Sequence, residues 1–176
     1  MAVHDNPAGD PGADAPAVAP AVAAHDPSPA ALLAELLAER DIRRGLARFA
    51  EVLDSRAWHR LGEVFTPDAL VVYSEYRAQG LEAIERHFRQ FLGGCGPSQH
   101  LLGNIVIEVE GEGEVAHSRA SVCASHLGAA PGDTREFIAF GGYRARWNRL
   151  AIGWRIAHWE WQHGWFRGDY GILQPG

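Results

Sequence analysis

The amino-acid sequence predicts an α+β fold in which helices come first and a sheet of hairpin-linked strands follows. In the first half of the chain, apolar residues recur at helical spacing over residues 29–53 and again over 81–92. From residue 99 to 165, β-branched and aromatic runs alternate with Gly-rich turns, as in antiparallel strands. Helices followed by a run of strands are typical of an α+β domain, and 176 residues are enough for one domain with a core.

Three helices are predicted ahead of the main run of strands. Ser28 and Pro29 are typical of a helix N-cap and first turn, and the apolar spacing continues this helix to Asp54. Ser55 is placed to cap a second, short helix. A third helix begins after Gly80 and carries an apolar face down to a Gly-rich end.

The remaining segments are predicted strands. One strand spans residues 69–76, after a turn at residues 66–68. The four later strands are predicted at residues 99–109, 115–127, 134–147 and 154–165. Gly141 and Gly142 interrupt the strand at 134–147 and predict a bend or bulge there.

The ends of the chain differ in composition from its middle. Residues 1–28 consist largely of Ala, Pro, Gly and Asp, which cannot bury enough apolar surface to offset the entropy of ordering, so a disordered tail is predicted. Residues 29–170 are predicted to form the domain, and residues 171–176 a C-terminal tail.

Charge and hydropathy argue against several classes of function. A net charge of −6 argues against nucleic-acid binding and against a polybasic membrane-surface protein, since both need clustered Lys and Arg. No apolar run approaches the ~20 residues of a membrane-spanning helix, and the N-terminal residues lack the basic start of a signal peptide. Cys95 and Cys123 have no metal-ligand spacing, so a reduced, cytoplasmic protein without a metal site is expected.

Two residues far apart in the chain have the chemistry of a general base. Asp54 ends the first predicted helix, and His100 lies at the start of a predicted strand. A carboxylate that orients an imidazole makes a base that works near neutral pH. Each residue also has a structural interpretation, because Asp54 could cap the next helix and His100 could be a core histidine bonded to backbone.

Five short motifs occur in a characteristic order: Leu53–Trp58, Phe65–Ala69, Val72–Tyr73, Gln99–His100 and Gly153–Ile156. Together with the order of elements, they resemble the SnoaL-like branch of the NTF2-like superfamily, nearest to scytalone dehydratase and related dehydratases and dehydrochlorinases. The resemblance covers about residues 35–166. It implies a cone in which three N-terminal helices pack on a strongly curved antiparallel or mixed sheet that encloses a pocket. It also implies a homodimer or homotrimer.

The resemblance assigns roles to four residues. Asp54 and His100 match the family's catalytic dyad, and Tyr73 matches a tyrosine that helps to hold a water on the substrate carbonyl. His126 falls near a second pocket histidine. Two of these positions have alternatives, since Tyr73 could be a core aromatic and His126, beside a turn, could be solvated.

Aromatic side chains are expected to contact the substrate. The expected contacts are Trp58, Tyr76, Phe140, Tyr143, Trp159 and Trp161. Trp159 and Trp161 share one face of the last strand, opposite His158, and the sequence leaves open which face lines the pocket. Three other histidines are expected on exposed faces: His59, His87 and His117.

The resemblance implies a cofactor-independent lyase, specifically a dehydratase, acting on a cyclic or polyketide-like small molecule of secondary metabolism. His100 would remove a proton next to a carbonyl, Asp54 would stabilise the imidazolium, and Tyr73 would donate to the enolate oxygen. The same proton abstraction fits a cyclase or isomerase. A non-catalytic module that binds small molecules or partners is a further alternative.

Overall fold

Helices cover one side of a six-stranded sheet in the computed structural model, which describes residues 28–111 and 113–173. In chain order the elements are α1 (Pro29–Asp54), a first 3₁₀ helix (Trp58–Glu63), β1 (Phe65–Tyr73), β2 (Tyr76–Gln79), α2 (Leu81–Leu92), β3 (Cys95–Glu110), β4 (Val115–Gly128), β5 (Glu136–Leu150), β6 (Gly153–Gly168) and a C-terminal 3₁₀ helix (Tyr170–Leu173). The predicted α+β class is confirmed.

Helix α1 begins where its cap predicts and packs through its second half. The Ser28 hydroxyl accepts a hydrogen bond from the Ala31 N–H at 3.2 Å, which satisfies one of the free donors of the first turn. The buried face starts only at Ala38 and includes Phe49, which is fully buried. The first turns are therefore not part of the core, and their leucines are exposed: Leu32, Leu33, Leu36 and Leu37.

The sheet is mixed and has the strand order β2-β1-β6-β5-β4-β3. Only the β1–β6 pair is parallel, and the other neighbouring strands are antiparallel. The expected curved sheet with helices on it is confirmed. Its strands β1 and β3–β6 all contribute side chains to one concave cavity, so the curvature is what creates the candidate site.

Two details of the sheet differ from the sequence prediction. The strand predicted at 69–76 is a hairpin, because the chain turns at Ser74, where φ is +52°, and returns as β2. The turn predicted at 66–68 is wrong, since these residues belong to β1. The pairing of β1 with β6 shifts between Phe65 and Leu70, around Pro67, which has no N–H to give to a ladder.

The sheet is irregular at the paired glycines of β5, as predicted, but the extra residue is Gly164 of β6, because Phe140 pairs with Trp165 and Gly141 with His163. The register between β5 and β6 shifts between Phe140 and Gly141. A Cβ on Gly141 would lie 2.4 Å from the Gln162 carbonyl oxygen, so only glycine allows the two strands to approach this closely.

The predictions about membrane-spanning segments and about the two tails can be compared with the described residues. No helix within residues 28–111 and 113–173 combines the length and apolar character needed to cross a membrane. The C-terminal 3₁₀ helix includes residues 171–173, the start of the segment assigned to a C-terminal tail, and it buries Ile172 and Leu173. Residues 1–27 and 174–176, where the other tail predictions fall, lie outside the described residues.

Candidate active site

A cavity of about 530 Å³ lies between the concave face of the sheet, α2 and the C-terminal 3₁₀ helix. Its walls are largely aromatic and include Phe88, Phe137, Trp161 and Trp165. No Asp, Glu, Lys or Arg is among the described residues that line it. A site of this size and composition suits a small, uncharged organic molecule.

His100 lies in the wall of this cavity, and Asp54 contacts its ring from outside the lining. The His100 Nδ1 and the Asp54 Oδ1 are 2.6 Å apart, and the backbone N–H of His100 donates to the Asp54 Oδ2 at 3.0 Å. A carboxylate only accepts, so the ring proton of neutral His100 lies on Nδ1 and the Nε2 keeps its lone pair. His100 lines the cavity and is 8% exposed. The pair therefore has the geometry of an oriented general base.

Two residues that the sequence did not indicate position the Asp54 carboxylate, Ser98 directly and Arg56 through Ser98. Arg56 Nη1 donates to the Ser98 Oγ at 2.7 Å, and the Ser98 Oγ lies 3.1 Å from the Asp54 Oδ1. Because a guanidinium can only donate, the Ser98 hydroxyl must direct its own proton to Asp54. Burial raises the Asp54 pKa, but the hydrogen bonds from His100 and Ser98 outweigh it, so the pKa lies below its ordinary value.

Arg56 also fixes the backbone around the dyad. Its guanidinium donates to the carbonyl oxygens of Leu53 at 2.6 Å, Leu92 at 3.1 Å and Gly96 at 3.0 Å. These contacts join the end of α1 to the end of α2 and the start of β3. The Arg56 backbone has φ of +55°, a left-handed conformation that the sequence does not indicate for arginine.

His126 lies beside His100 on the neighbouring strand and is 4% exposed, so the solvated alternative is wrong. The two rings are 5.5 Å apart between centroids and nearly perpendicular. The His126 Nδ1 is 3.2 Å from the Phe137 carbonyl oxygen and donates to it. Burial is the main cause that lowers the His126 pKa to about 4, so the ring is neutral at pH 7 and its Nε2 can accept a hydrogen bond.

Two phenols also line the cavity. Tyr73 stacks on Trp161, with 6.2 Å between ring centroids. Burial raises the Tyr73 pKa to about 12, and burial followed by interaction with Tyr73 raises the Tyr143 pKa well above its ordinary value. Both phenols are therefore protonated at neutral pH and can donate hydrogen bonds.

Of the six aromatic residues expected to contact substrate, only Tyr143 and Trp161 line the cavity. Trp159 is fully buried in the core, 4.2 Å from Phe49 and 4.3 Å from Tyr143 between ring centroids. Trp159 and Trp161 are both on the inner face of β6, but α1 covers Trp159, which is in the core, and leaves Trp161 in the cavity wall.

The other three aromatic residues are displaced from the cavity for different reasons. Trp58 is buried in the first 3₁₀ helix, stacked on Phe88. Tyr76 is 40% exposed at the sheet edge. Phe140 does not line the cavity itself but stacks on Trp165, which does, with 3.9 Å between ring centroids.

The sequence prediction for His87 is wrong. His87 is 2% exposed and lines the cavity, whereas His59 is exposed as expected. A signal was present, because His87 follows the buried Ile84 by three positions and precedes Phe88 on the apolar face of α2. His163, on the inner face of β6, also lines the cavity and was not predicted.

A second groove, outside the cavity, is lined by charged side chains. His158 and Glu160 lie in a separate groove on the opposite face of β6 from Trp161, as strand alternation predicts. Within the part of the chain that the structure describes, no three His, Cys, Asp or Glu side chains are arranged to hold a metal ion.

Comparison with known proteins agrees with this architecture. The model of the SnoaL-like domain matches residues 34–160. The chain belongs to the SnoaL-like family. This SnoaL-like chain is 32% identical over 130 residues to the uncharacterized protein Rv2910c of Mycobacterium tuberculosis, covering 70% of the chain and 84% of the relative.

Solved structures show the same fold at lower identity. A proposed scytalone dehydratase from Novosphingobium aromaticivorans DSM 12444 superposes with a TM-score of 0.69 at 21% identity, covering 78% of this chain and 91% of that one. The hexachlorocyclohexane dehydrochlorinase LinA-type3 from Novosphingobium barchaimii LL02 superposes with a TM-score of 0.67 at 16% identity, covering 82% and 98%. The NTF2-like cone predicted from the sequence is confirmed.

Proposed function

We propose that this SnoaL-like protein is a cofactor-independent lyase, a dehydratase that removes water from an uncharged cyclic β-hydroxyketone of polyketide-like character. The observation that carries the proposal is the 2.6 Å contact between the His100 Nδ1 and the Asp54 Oδ1 at the wall of a cavity with aromatic walls. The two neighbours named above support it, because dehydration and dehydrochlorination are both eliminations.

Proton removal is the first step. The His100 Nε2 takes the proton from the carbon between the carbonyl and the carbinol, and the C–H electron pair forms an enolate. Asp54 stabilises the imidazolium that results, and this interaction is stronger in an apolar cavity than in water. A protonated phenol, Tyr73 or Tyr143, donates to the enolate oxygen.

Loss of the hydroxyl completes the reaction. The enolate electrons form a carbon–carbon double bond, the C–O bond breaks, and the His100 imidazolium returns its proton so that water leaves. His126 is not suited to be the acid, because a pKa of about 4 leaves only ~0.1% of it protonated at pH 7. His126 instead accepts a hydrogen bond from the substrate hydroxyl.

The proposal is tested with 3-hydroxy-1-tetralone, whose dehydration produces a naphthol that is followed by absorbance. Replacing the base should lower kcat/KM by about 10²–10⁴ in Asp54→Asn and His100→Ala. His59→Ala, at an exposed histidine, is the matched control and should keep full activity. Turnover that survives both dyad variants would show that the lyase mechanism is wrong.

The alternatives give different products in the same experiment. Exchange of the α-proton with solvent deuterium while the hydroxyl is retained would favour an isomerase or cyclase. Binding without exchange or turnover would favour a non-catalytic module. The homodimer or homotrimer and the cytoplasmic location stay predictions from the sequence.

A further inference from the structure

We propose that the ligand of this cavity is a flat molecule of at least two fused rings that lies across the strands, from His100 toward Phe166, on a floor formed by Ala124 and Ala139. The inference rests on the proposed function in placing the reacting carbon at His100. It adds the direction in which the ring system lies and the residues that select its length.

The strand register places His100 and Phe166 in one row of the sheet. His100 of β3 pairs with Ala124 of β4. Ala124 in turn pairs with Ala139 of β5, and Ala139 pairs with Phe166 of β6. All four residues line the cavity. Neighbouring strands lie ~4.8 Å apart, so the backbones at the two ends of the row are separated by ~14 Å before the curvature of the sheet shortens the distance.

Small side chains leave a slot between the ends of this row. Ala124 and Ala139 each contribute only a methyl group to the cavity wall. Phe137, two residues before Ala139 and on the same face of β5, borders the slot on one side. Gly141, two residues after Ala139, has no side chain, and the Trp161 ring occupies the space, since a Cβ on Gly141 would lie 2.7 Å from that ring. A floor of methyl groups between aromatic sides suits a flat apolar ring system.

The end of the slot away from the base is aromatic and open to solvent. Phe166 and Tyr170 both line the cavity and both pack on Phe137, with 5.6 Å and 5.3 Å between ring centroids. Phe166 is 55% exposed and Tyr170 is 43% exposed. A ligand that extends to this end would therefore bury apolar surface that the free protein leaves in water.

The spacing of the row indicates the number of rings. Each alanine marks one step of ~4.8 Å between strands, so a ring held against His100 lies over Ala124. A single ring leaves the Ala139 methyl and the Phe166 ring uncovered. The second ring of a fused system lies over Ala139 and extends toward Phe166. Ala139 is thus the residue whose size should decide whether a second ring is accepted.

Nuclear Overhauser effects between 1-tetralone and the alanine methyl groups test this placement directly. The full chain is labelled with ¹³C at its alanine methyl groups and mixed with 1-tetralone. We expect the aromatic protons of the ligand to contact the Ala139 methyl, and the methylene protons next to the ketone to contact the Ala124 methyl. Ala116, on the same face of β4 but fully buried in the core, is the control and should show no contact.

A pair of ketones that differ by one ring tests the role of Ala139. The affinities of cyclohexanone and 1-tetralone are measured by NMR titration with the full chain. The wild type should bind 1-tetralone about tenfold more tightly, because the second ring is buried. Ala139→Leu fills the slot and should abolish this preference while leaving cyclohexanone affinity unchanged within about twofold. Ala139→Gly, which leaves the slot open, should keep the preference, as should the control Leu127→Ala, at an exposed residue outside the cavity lining.

Several results would overturn the inference. Contacts of the aromatic protons with Ala124 and of the methylene protons with Ala139 would show the reverse orientation. The inference would also fail if neither methyl contacts 1-tetralone, if 1-tetralone does not bind, or if its preference survives in Ala139→Leu.

These readouts separate the slot from the reaction. The expected alanine contacts in a protein that dehydrates nothing would overturn the proposed function alone. An active dehydratase whose ligand does not contact Ala139 would overturn the slot alone.

Discussion

Ser98→Ala removes one hydrogen bond from the Asp54 carboxylate and leaves the Asp54–His100 contact in place. The Ser98 hydroxyl lies 3.1 Å from the Asp54 Oδ1, and Arg56 fixes the direction of its proton. A hydrogen bond to a charged group contributes about 1.5–3 kcal/mol, but the Asp54 side chain is 25% exposed, so we expect a loss nearer ~1 kcal/mol at pH 7.

The loss should depend on pH with a definite sign. The hydrogen bonds hold the Asp54 pKa below its ordinary value, so their contribution to stability is present above about pH 4 and is lost as the pH falls through the pKa of the folded state. In Ser98→Ala the Asp54 pKa should rise. The difference in unfolding free energy between wild type and variant should therefore narrow from pH 7 to pH 3.

Urea unfolding at a series of pH values measures the stability difference, and NMR titration of the Asp54 carboxyl measures the pKa. Ser121→Ala is the matched control, since Ser121 is exposed and accepts one hydrogen bond from Asn104, far from the dyad in sequence. A loss in Ser98→Ala that does not vary between pH 7 and pH 3, with an unshifted Asp54 pKa, would show that the Ser98 hydrogen bond does not hold the Asp54 pKa down.

Two further results are expected. Burial lowers the pKa of His87 and of His126 from 6.5 to about 4, so the unfolded chain is protonated at these histidines at a higher pH than the folded chain. The unfolding free energy should therefore fall by about 2 kcal/mol per histidine between pH 7.5 and pH 5. Urea unfolding of His126→Phe should show a flatter dependence on pH than the wild type, and an unchanged dependence would contradict burial of a neutral His126 ring. Trp159→Phe should lower the unfolding free energy by about 2 kcal/mol and leave the affinity for 1-tetralone unchanged, because Trp159 is in the core. Trp161→Leu should weaken 1-tetralone binding several-fold in calorimetry, because Trp161 lines the cavity. The reverse pattern would show that Trp159 lines the ligand site.

Local patterns predicted the elements that depend on local chemistry. The Ser28 cap, the start of α1 and the irregularity of the sheet beside Gly141 follow from side-chain hydrogen bonding, helical spacing and the lack of a Cβ. The β1–β2 hairpin was missed because Ser74, at φ +52°, does not have the sequence of a typical tight turn. Parallel pairing of β1 with β6 joins segments far apart in the chain, which no local pattern reports.

The candidate site was predicted as far as the family resemblance extends. The Asp54–His100 contact could be expected from it, but the Arg56–Ser98 support depends on a left-handed backbone that arginine rarely adopts. The prediction that Trp159 contacts the substrate was wrong. Strand alternation shows which face of β6 Trp159 is on, but it does not show that Phe49 of α1 packs over this side chain. Tertiary packing, rather than spacing along the chain, decides which residues of a face meet the ligand.

Exchange of the α-protons of 1-tetralone in deuterium oxide, followed by proton NMR, tests the central claim that Asp54 and His100 form a working base. It needs no leaving group, so it reports proton abstraction alone. We predict that the wild type accelerates exchange and that Asp54→Asn and His100→Ala lower the enzymatic rate by about 10²–10⁴, with His59→Ala unchanged. Equal exchange rates in the wild type and both dyad variants would contradict it.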